Sequence, residues 1–414
     1  MKKVLIVGAG FAGLRLARNL VGKPFEVWLF DKNNYHQFQP LFYQVATSGL
    51  EPSSISFPLR KVFQKAGNIH IRCTEVLSVN THEQILNTAI GPFAYDYLVV
   101  ASGADTNFFG NSEIANLALP MKSVSEALYI RNRILQNFED ALTASADMVE
   151  SLLNIVIVGA GPTGVEVSGA LAEMRSKILP KDYPEIDFSK MHIYLVEAGP
   201  KTLGSMSEAS SEKSKVYLQA LGVNVLTSTS VLSFNGKEVT LSDQSRIKSN
   251  TLIWAAGIKG NALKGIPETA LQRGNRLAVD EYNQVLYTKN IFAIGDVAYM
   301  VTKDYPNAHP QVATVANDMA TCLSHNLLRW NNGQQPKAFT YKNKGSMATV
   351  GRHLAVVDLP GIKFQGFFAW LFWMFLHLML ILGIKNKLLI FVNWMWKYFT
   401  FDQSLRLIIK PFKK

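Results

Sequence analysis

An α/β fold of two Rossmann-like dinucleotide-binding domains, followed by a C-terminal amphipathic helical region, is predicted from three observations. A Gly-x-Gly-x-x-Gly fingerprint occurs twice, as Gly8-Ala-Gly10-Phe-Ala-Gly13 and as Gly159-Ala-Gly161-Pro-Thr-Gly164. Each copy lies between an apolar run and a helical pattern, the context that gives the motif its meaning. The C-terminal section then loses its acids and concentrates tryptophan.

In the first copy Val4-Leu5-Ile6-Val7 reads as a buried parallel strand, and from Leu14 apolar residues recur at helical spacing through Leu16, Ala17 and Leu20. Gly8 permits the tight turn, Gly10 lets backbone approach a pyrophosphate, and Gly13 lets the helix pack on the strand. The helix N–H groups face the phosphate charge. The next strand, 26–30, ends at Asp31, whose carboxylate can accept hydrogen bonds from an adenosine ribose diol. In the second copy 154–158 is the strand, 165–174 the helix, and 193–196 the strand that ends in Glu197. An acid there favours NADH, because it repels the extra phosphate of NADPH. One fingerprint alone is also compatible with a glycine-rich turn that holds no ligand, but here strand, helix and terminal acid recur together.

A wider repetition supports duplication of a whole domain. Segments 95–103 and 249–257 are both strands that run into small-residue turns, carrying Ala101 and Gly103 in one and Ala256 and Gly257 in the other. A third apolar strand, in 290–298, ends at Gly295-Asp296. In two-dinucleotide flavoproteins, which this chain resembles, such an aspartate hydrogen-bonds the ribityl and phosphate portion of the flavin; a helix N-cap is the alternative role.

At 414 residues the chain predicts two or three domains. Its 48% hydrophobic content and mean hydropathy of +0.09 leave apolar surface to be placed. The formal charge of +11 suits nucleic acid or an anionic membrane. No nucleic-acid-reading motif accompanies it, so the membrane is the better reading. Cys73 and Cys322 are the two cysteines. They stand far apart and outside any Cys-x-x-Cys, which signals neither a disulfide framework nor a metal site, and both read as small, at least partly buried apolar side chains. Met1-Lys-Lys before the short apolar run reads as no signal peptide.

The tail carries the excess. Residues 367–384 contain no Asp, Glu, Lys or Arg, an uncharged run of 18, and 391–401 is a second aromatic-rich stretch. Trp370, Trp373, Trp394 and Trp396 are four of the seven tryptophans. From Leu359 onward Lys363, Lys385, Lys387, Lys397, Arg406, Lys410, Lys413 and Lys414 face one acid, Asp402. Tryptophan prefers the headgroup level, and such lysines are drawn to anionic lipid. Eighteen residues at about 1.5 Å each barely span a core of about 30 Å, so a spanning helix and a pair of interfacial helices both remain open. His377 has no second metal-binding group at useful spacing and reads as a packing residue.

Segments 35–46, with its Tyr-His-Gln-Phe-Gln-Pro-Leu core, 161–166, 254–257, 292–298 and 344–348, together with Gly366-Phe-Phe-Ala-Trp370 and 393–399 in the tail, resemble the motifs of type II NADH:quinone oxidoreductases. The resemblance covers nearly the whole chain. It implies noncovalent FAD in the first domain, NADH as substrate at the second, and a membrane quinone, menaquinone or ubiquinone, as acceptor. It also implies monotopic attachment to the cytoplasmic face of the inner membrane through interfacial helices, a homodimer in many members, and no proton pumping. By the same resemblance Pro40 and Thr47 lie near the flavin, and Gln44 lies near the isoalloxazine and quinone pocket. Glu166 points toward the nicotinamide or quinone side, with a partly buried capping acid as alternative, and Lys344 supports negative charge on reduced flavin or quinone unless it is simply an exposed lysine. One departure stands out: after His309-Pro310 the family presents adjacent glutamines, whereas this chain has Asn317-Asp318-Met319, which makes Asp318 a candidate for altered quinone handling. A flavin reductase of another acceptor and a membrane-docked NADH or redox sensor are the competing functions.

The expected division is 1–110 as the first part of the FAD-binding domain, 111–151 as a helical connection, 152–258 as the NADH-binding domain, 259–355 as the second part of the FAD-binding domain, and 356–414 as membrane-attachment helices.

Overall fold

The computed structural model describes residues 1–400 and 405–409. Packing divides the chain into two units: Met1–Gln37, Phe57–Asp105 and Ile258–Asn343 form the first, and Phe38–Ser56, Thr106–Gly257 and Lys344–Lys414 the second.

In the first unit five parallel strands stand in the order Ile291–Ala293, Tyr97–Val100, Lys2–Val7, Phe25–Asp31, Ile69–Cys73. Their central residues, Val4, Leu5 and Ile6 among them, are fully buried, as strands covered on both faces must be. In the second unit the order is Leu119–Pro120, Thr251–Trp254, Ile155–Val158, Ile193–Val196, Val223–Leu226, again all parallel. The duplication reaches further than the fingerprints. Between the edge strand and the strand that ends in a small-residue turn, each unit inserts a three-stranded antiparallel sheet: Val76–Asn80, Ile85–Thr88 and Gly91–Ala94 in one, Val231–Phe234, Glu238–Leu241 and Arg246–Lys248 in the other.

The fingerprint helices are Phe11–Asn19 and Pro162–Lys177. Pro162 at the first turn suits the second, since its missing N–H has no intrahelical partner to lose. The helical connection expected over 111–151 includes Val124–Ala141, capped by Ser123 Oγ, which accepts the Glu126 N–H at 3.2 Å. A short turn over 142–145 leads into the next helix, Ala146–Leu153.

Two segments group differently from the expected division. Helix Phe42–Ala46 packs on Val124–Ala141 and Pro162–Lys177, which brings Phe38–Ser56 into the second unit. Strand Ser346–Gly351 lies along Pro162–Lys177 so closely that a Cβ on Gly169 would stand 1.5 Å from the Val350 carbonyl oxygen, so the second unit begins again at Lys344. This strand opens a three-stranded antiparallel sheet with Leu354–Leu359 and Ile362–Gln365.

The uncharged run does not form one helix. Phe367–Leu380 ends where Ile381 turns to extended backbone, Gly383 has φ +78°, and Ile384–Thr400 begins anew. Fourteen residues reach about 21 Å, short of a hydrocarbon core of about 30 Å. Among the described residues no helix is long and apolar enough to cross a membrane. Both helices are two-sided: Ala369, Trp373, His377, Ile390 and Trp394 are buried, while Phe368, Phe375, Leu388, Trp396 and Phe399 are exposed. The basic tail is less free than its sequence suggests. Arg406 pairs with Asp182, Lys387 donates to the Met379 carbonyl at 2.8 Å, and Lys397 turns inward. Phe401, Asp402, Lys410, Lys413 and Lys414 lie outside the described residues.

Candidate functional site

The two fingerprint turns share one backbone geometry. Gly8 and Gly159 have φ of +100° and +96°, and each donates its N–H at 2.8 Å to the residue before the acid, Phe30 in one unit and Val196 in the other. A Cβ on Gly8 would meet the Ala101 carbonyl oxygen at 2.4 Å, and one on Gly159 would meet Ala256 Cα at 2.8 Å. On Gly13 and Gly164 it would stand 1.8 Å from the carbonyl oxygen of the first glycine in each case. Gly10 and Gly161 are the opposite: nothing lies within 4 Å of a Cβ there. That open space at a helix N-terminus is what a pyrophosphate needs.

The acids complete each turn. Asp31 Oδ2 accepts the Ala9 N–H at 2.7 Å and Oδ1 the Asn33 N–H at 2.7 Å. Glu197 Oε2 accepts the Ala160 N–H at 2.6 Å and Oε1 the Gly199 N–H at 2.7 Å. Each carboxylate oxygen keeps acceptor capacity for a ribose hydroxyl. Burial raises the Asp31 carboxyl above its ordinary range, against the lowering effect of its two backbone donors. The small-residue turns correspond as well, with Gly103 at φ +69° and Gly257 at φ +68°. In the first unit Gly295 has φ +75° and faces Ala12 and Ala316, in the tight approach of two helices' ends. Asp296 follows in the short 3-10 turn Gly295–Val297, whose N-cap is Ile294. Its backbone carbonyl accepts from Gln311 Nε2 at 2.9 Å, and its carboxylate is close enough to Arg276 to favour the guanidinium charge. This turn, acid and open cradle fit a dinucleotide such as FAD.

A pocket of roughly 690 Å³, adjoining open solvent included, lies within the second unit. Glu166 enters it from the fingerprint helix, five residues past the N-cap Gly161 and 8% exposed, so it is not a capping acid. Burial pushes its carboxyl well above the ordinary range, and the Thr349 N–H offsets only part of this. Opposite, Trp394 Nε1 donates to Gln44 Oε1 at 2.8 Å, and Gln44 Nε2 donates to the Tyr43 hydroxyl at 2.8 Å. The Gln44 amide is therefore held by both ends. Lys397 also lines the pocket, and burial lowers its ammonium below the usual range although Glu173 opposes that. Arg352 lies over the Tyr398 ring at 4.2 Å.

The remaining candidates fall elsewhere. Thr47 is buried and donates back to the Tyr43 carbonyl at 2.8 Å, and Pro40 sits in the 3-10 turn Gln39–Leu41; both belong to the second unit, as Gln44 does. Lys344 is exposed ahead of strand Ser346–Gly351 and is not among the pocket's lining residues. Asp318 is half-buried on helix Ala313–Asn331 of the first unit, beside a fully buried Met319. Trp373, Trp394 and Lys397 were legible only as membrane residues, yet all three line the pocket. Cys73 is exposed because it ends an edge strand, while Cys322 is partly buried. Among the described residues no cluster of His, Cys, Asp and Glu is arranged to hold a metal.

The pyridine nucleotide-disulphide oxidoreductase family matches residues 2–320, and the NDH2 C-terminal domain matches 343–401. Two proteins of Mycobacterium tuberculosis, the type II NADH:quinone oxidoreductases NdhA and Ndh, are each 33% identical to the chain; each alignment covers 95% of it, and 86% and 87% of the relatives. The chain belongs to the type II NADH:quinone oxidoreductase family. A Staphylococcus aureus type II NADH:quinone oxidoreductase is 27% identical over 88% of this chain and 91% of its own. The fold is shared with NDH2 of Plasmodium falciparum, solved in complex with NADH, at a TM-score of 0.90 and 23% identity over 99% of this chain and 100% of that one. Within this type II family the tail match starts one residue before the second unit resumes, so it coincides with the sheet and helices that close the Glu166 pocket.

Proposed function

We propose that the first fingerprint holds FAD, the second holds NADH, and the Glu166 pocket receives the quinone ring. The chain is an FAD-dependent NADH:quinone oxidoreductase that passes two electrons from NADH to a quinone without pumping protons. FAD, when bound, supplies the hydride acceptor and the two-electron relay. What the protein adds is position and protons.

Asp31 and Asp296 suit the cofactor that stays loaded, and Glu197 suits the NADH that turns over. Reducing a quinone by two electrons consumes two protons at its oxygens. Glu166, kept protonated by burial, holds one at a carboxyl oxygen facing the pocket. Gln44 offers its second amide N–H to a quinone carbonyl, since Trp394 and Tyr43 fix the amide's orientation. The observation that carries this reading is that an acid of the NADH-binding helix and a tryptophan of the apolar tail line one pocket.

The outward sides of Phe367–Leu380 and Ile384–Thr400 support docking on a lipid surface at the cytoplasmic face, where NADH is available. Phe368 and Phe399 are 75% and 72% exposed, amid other apolar side chains. Large exposed apolar side chains gathered on two neighbouring helices mark an interaction surface. Phe368→Ser with Phe375→Ser should release the protein from anionic vesicles in a sedimentation assay; retention on the vesicles counts against these helices as the anchor.

The chemistry is tested by mixing the FAD-loaded protein anaerobically with NADH, following flavin bleaching, then adding menaquinone or ubiquinone. Glu166→Gln should bleach normally and reoxidise at least about tenfold more slowly. Normal reoxidation in that variant would overturn the quinone assignment.

A further inference from the structure

The loop 107–110 carries an aromatic residue that its packing leaves largely exposed. Phe109 has φ +51°, in the left-handed region that a bulky side chain adopts only at a cost, and is 68% exposed. Its N–H donates to Asn107 Oδ1 at 2.9 Å. The Asn107 N–H donates to the Gly257 carbonyl at 3.2 Å, and Trp254 Nε1 donates to the Asn107 carbonyl at 3.0 Å. The loop is thus pinned to the carboxyl end of strand Thr251–Trp254. Phe108 packs on Trp254 with its ring 5.7 Å away, and Phe109 meets the same ring more loosely at 6.5 Å. Phe109 also lies over Gly257, where a Cβ would come within 2.4 Å of its Cζ. A strained backbone, a glycine that makes room and three hydrogen bonds hold one phenyl ring out to solvent.

Topology says what meets it. In the second unit the chain order reverses between strands Ile155–Val158 and Thr251–Trp254, and ligands of such sheets bind beyond the carboxyl ends at that switch point. Glu197 follows Ile193–Val196, on one side of the switch, and fixes the adenosine half there. The pyrophosphate crosses at Gly161. The nicotinamide half must then run to the other side, over residues 255–257, which is where the Phe109 ring stands.

We infer that Phe109 is a positioning residue for the nicotinamide riboside half of NADH, which packs on its exposed ring. This rests on the assignment of NADH to the second fingerprint. Adenine and its ribose lie across the switch and do not touch the ring, so the residue acts on one end of the substrate only.

The test uses the full-length FAD-loaded protein and two ligands: NADH, and ADP-ribose as a competitor that lacks nicotinamide. Phe109→Gly removes the ring while suiting the local φ, Phe109→Ala checks it, and Phe109→Tyr restores an aromatic face. The Gly and Ala variants should raise KM for NADH about two- to tenfold, the span of one aromatic contact, with ADP-ribose inhibition and KM for quinone unchanged. The Tyr variant should return KM to near its starting value. A parallel rise in KM for NADH and in the inhibition constant of ADP-ribose, or no change in either, overturns the inference. Glu197→Gln separates the underlying assignment: it should weaken ADP-ribose, and if it does not, the NADH site and the role of Phe109 fall together.

Discussion

Gly169→Ala tests how the Glu166 pocket, proposed above to receive the quinone, is built. Gly169 is buried in the middle of Pro162–Lys177, three residues past Glu166. A methyl group there would stand 1.5 Å from the Val350 carbonyl oxygen and 2.6 Å from its carbon, where ordinary contact begins at 3.4 Å. Strand Ser346–Gly351 would have to retreat by about 1.9 Å, the difference between the first and last of those distances. It cannot do so freely, because Ala348 and Thr349 are paired with Val356 and Ala355, and the pairing shifts register at Val350. Overpacking of this kind costs about 1–3 kcal/mol, and each kcal/mol lowers Tm by roughly 2–4 °C in a body of this size. The retreat also withdraws the Thr349 N–H from Glu166. One lost buried hydrogen bond, about 1–1.5 kcal/mol, corresponds to about a tenfold slower step. Stopped-flow reoxidation by a soluble quinone should therefore fall about tenfold, while bleaching by NADH stays within about twofold. A Gly169→Ala protein with unchanged Tm and unchanged reoxidation would refute the idea that this contact sets the pocket.

Other outcomes are equally specific. Asp31→Asn should lower FAD retention after desalting, read as the ratio of flavin to protein absorbance, because one of the two backbone bonds loses its acceptor; full retention would remove Asp31 from the FAD site. Glu197→Gln should raise KM for NADH about tenfold and narrow its preference over NADPH; an unchanged preference would separate charge from selectivity. The Glu166 carboxyl lies above its ordinary 4.5 in the folded state, so the native form loses stability as pH climbs from 4.5 toward that raised value. Glu166→Gln should accordingly melt higher than the parent by a margin that grows with pH and vanishes below 4.5; a constant margin would deny the burial effect. His377, stacked on Trp373 at 4.0 Å, is lowered to about 4 from 6.5 by burial. Stability should drop by about 3 kcal/mol as pH falls through that window, and His377→Gln should flatten the acid limb of the melting curve.

Both nucleotide-binding folds were legible in the residues, because their glycines answer to backbone collisions that allow no substitute. Gly8, Gly13, Gly159 and Gly164 each face a backbone atom at 2.8 Å or less. The strand-ending acids were legible for the same reason: they occupy a register position. The tail was harder. Its uncharged run has no local signal for the break at Ile381, apart from Gly383, so the helix pair emerges only once Ala369, Trp373 and His377 find a surface to cover. Lys397 and Trp394 read as lipid-facing because composition reports the character of a segment, not which side each residue takes. Gly169 and Phe109 carried no motif, and their importance comes from neighbours far away in sequence, Val350 and Gly257.

The paired acids have an implication for how nucleotide preference can change. Glu197 is bonded through both oxygens to Ala160 and Gly199 before any ligand arrives, so the acceptors stand in place and the ligand need not order a loose side chain. On the proposed assignment of NADH to this site, the same atoms both brace the loop and discriminate between ligands. Removing the negative charge to admit a 2′-phosphate also removes a brace, because an amide in place of the acid keeps one acceptor oxygen for the two N–H groups. A switch in preference therefore requires rebuilding the loop around residues 197–199, with a new partner for the stranded N–H group, and a lone substitution at the acid trades selectivity for a slacker turn.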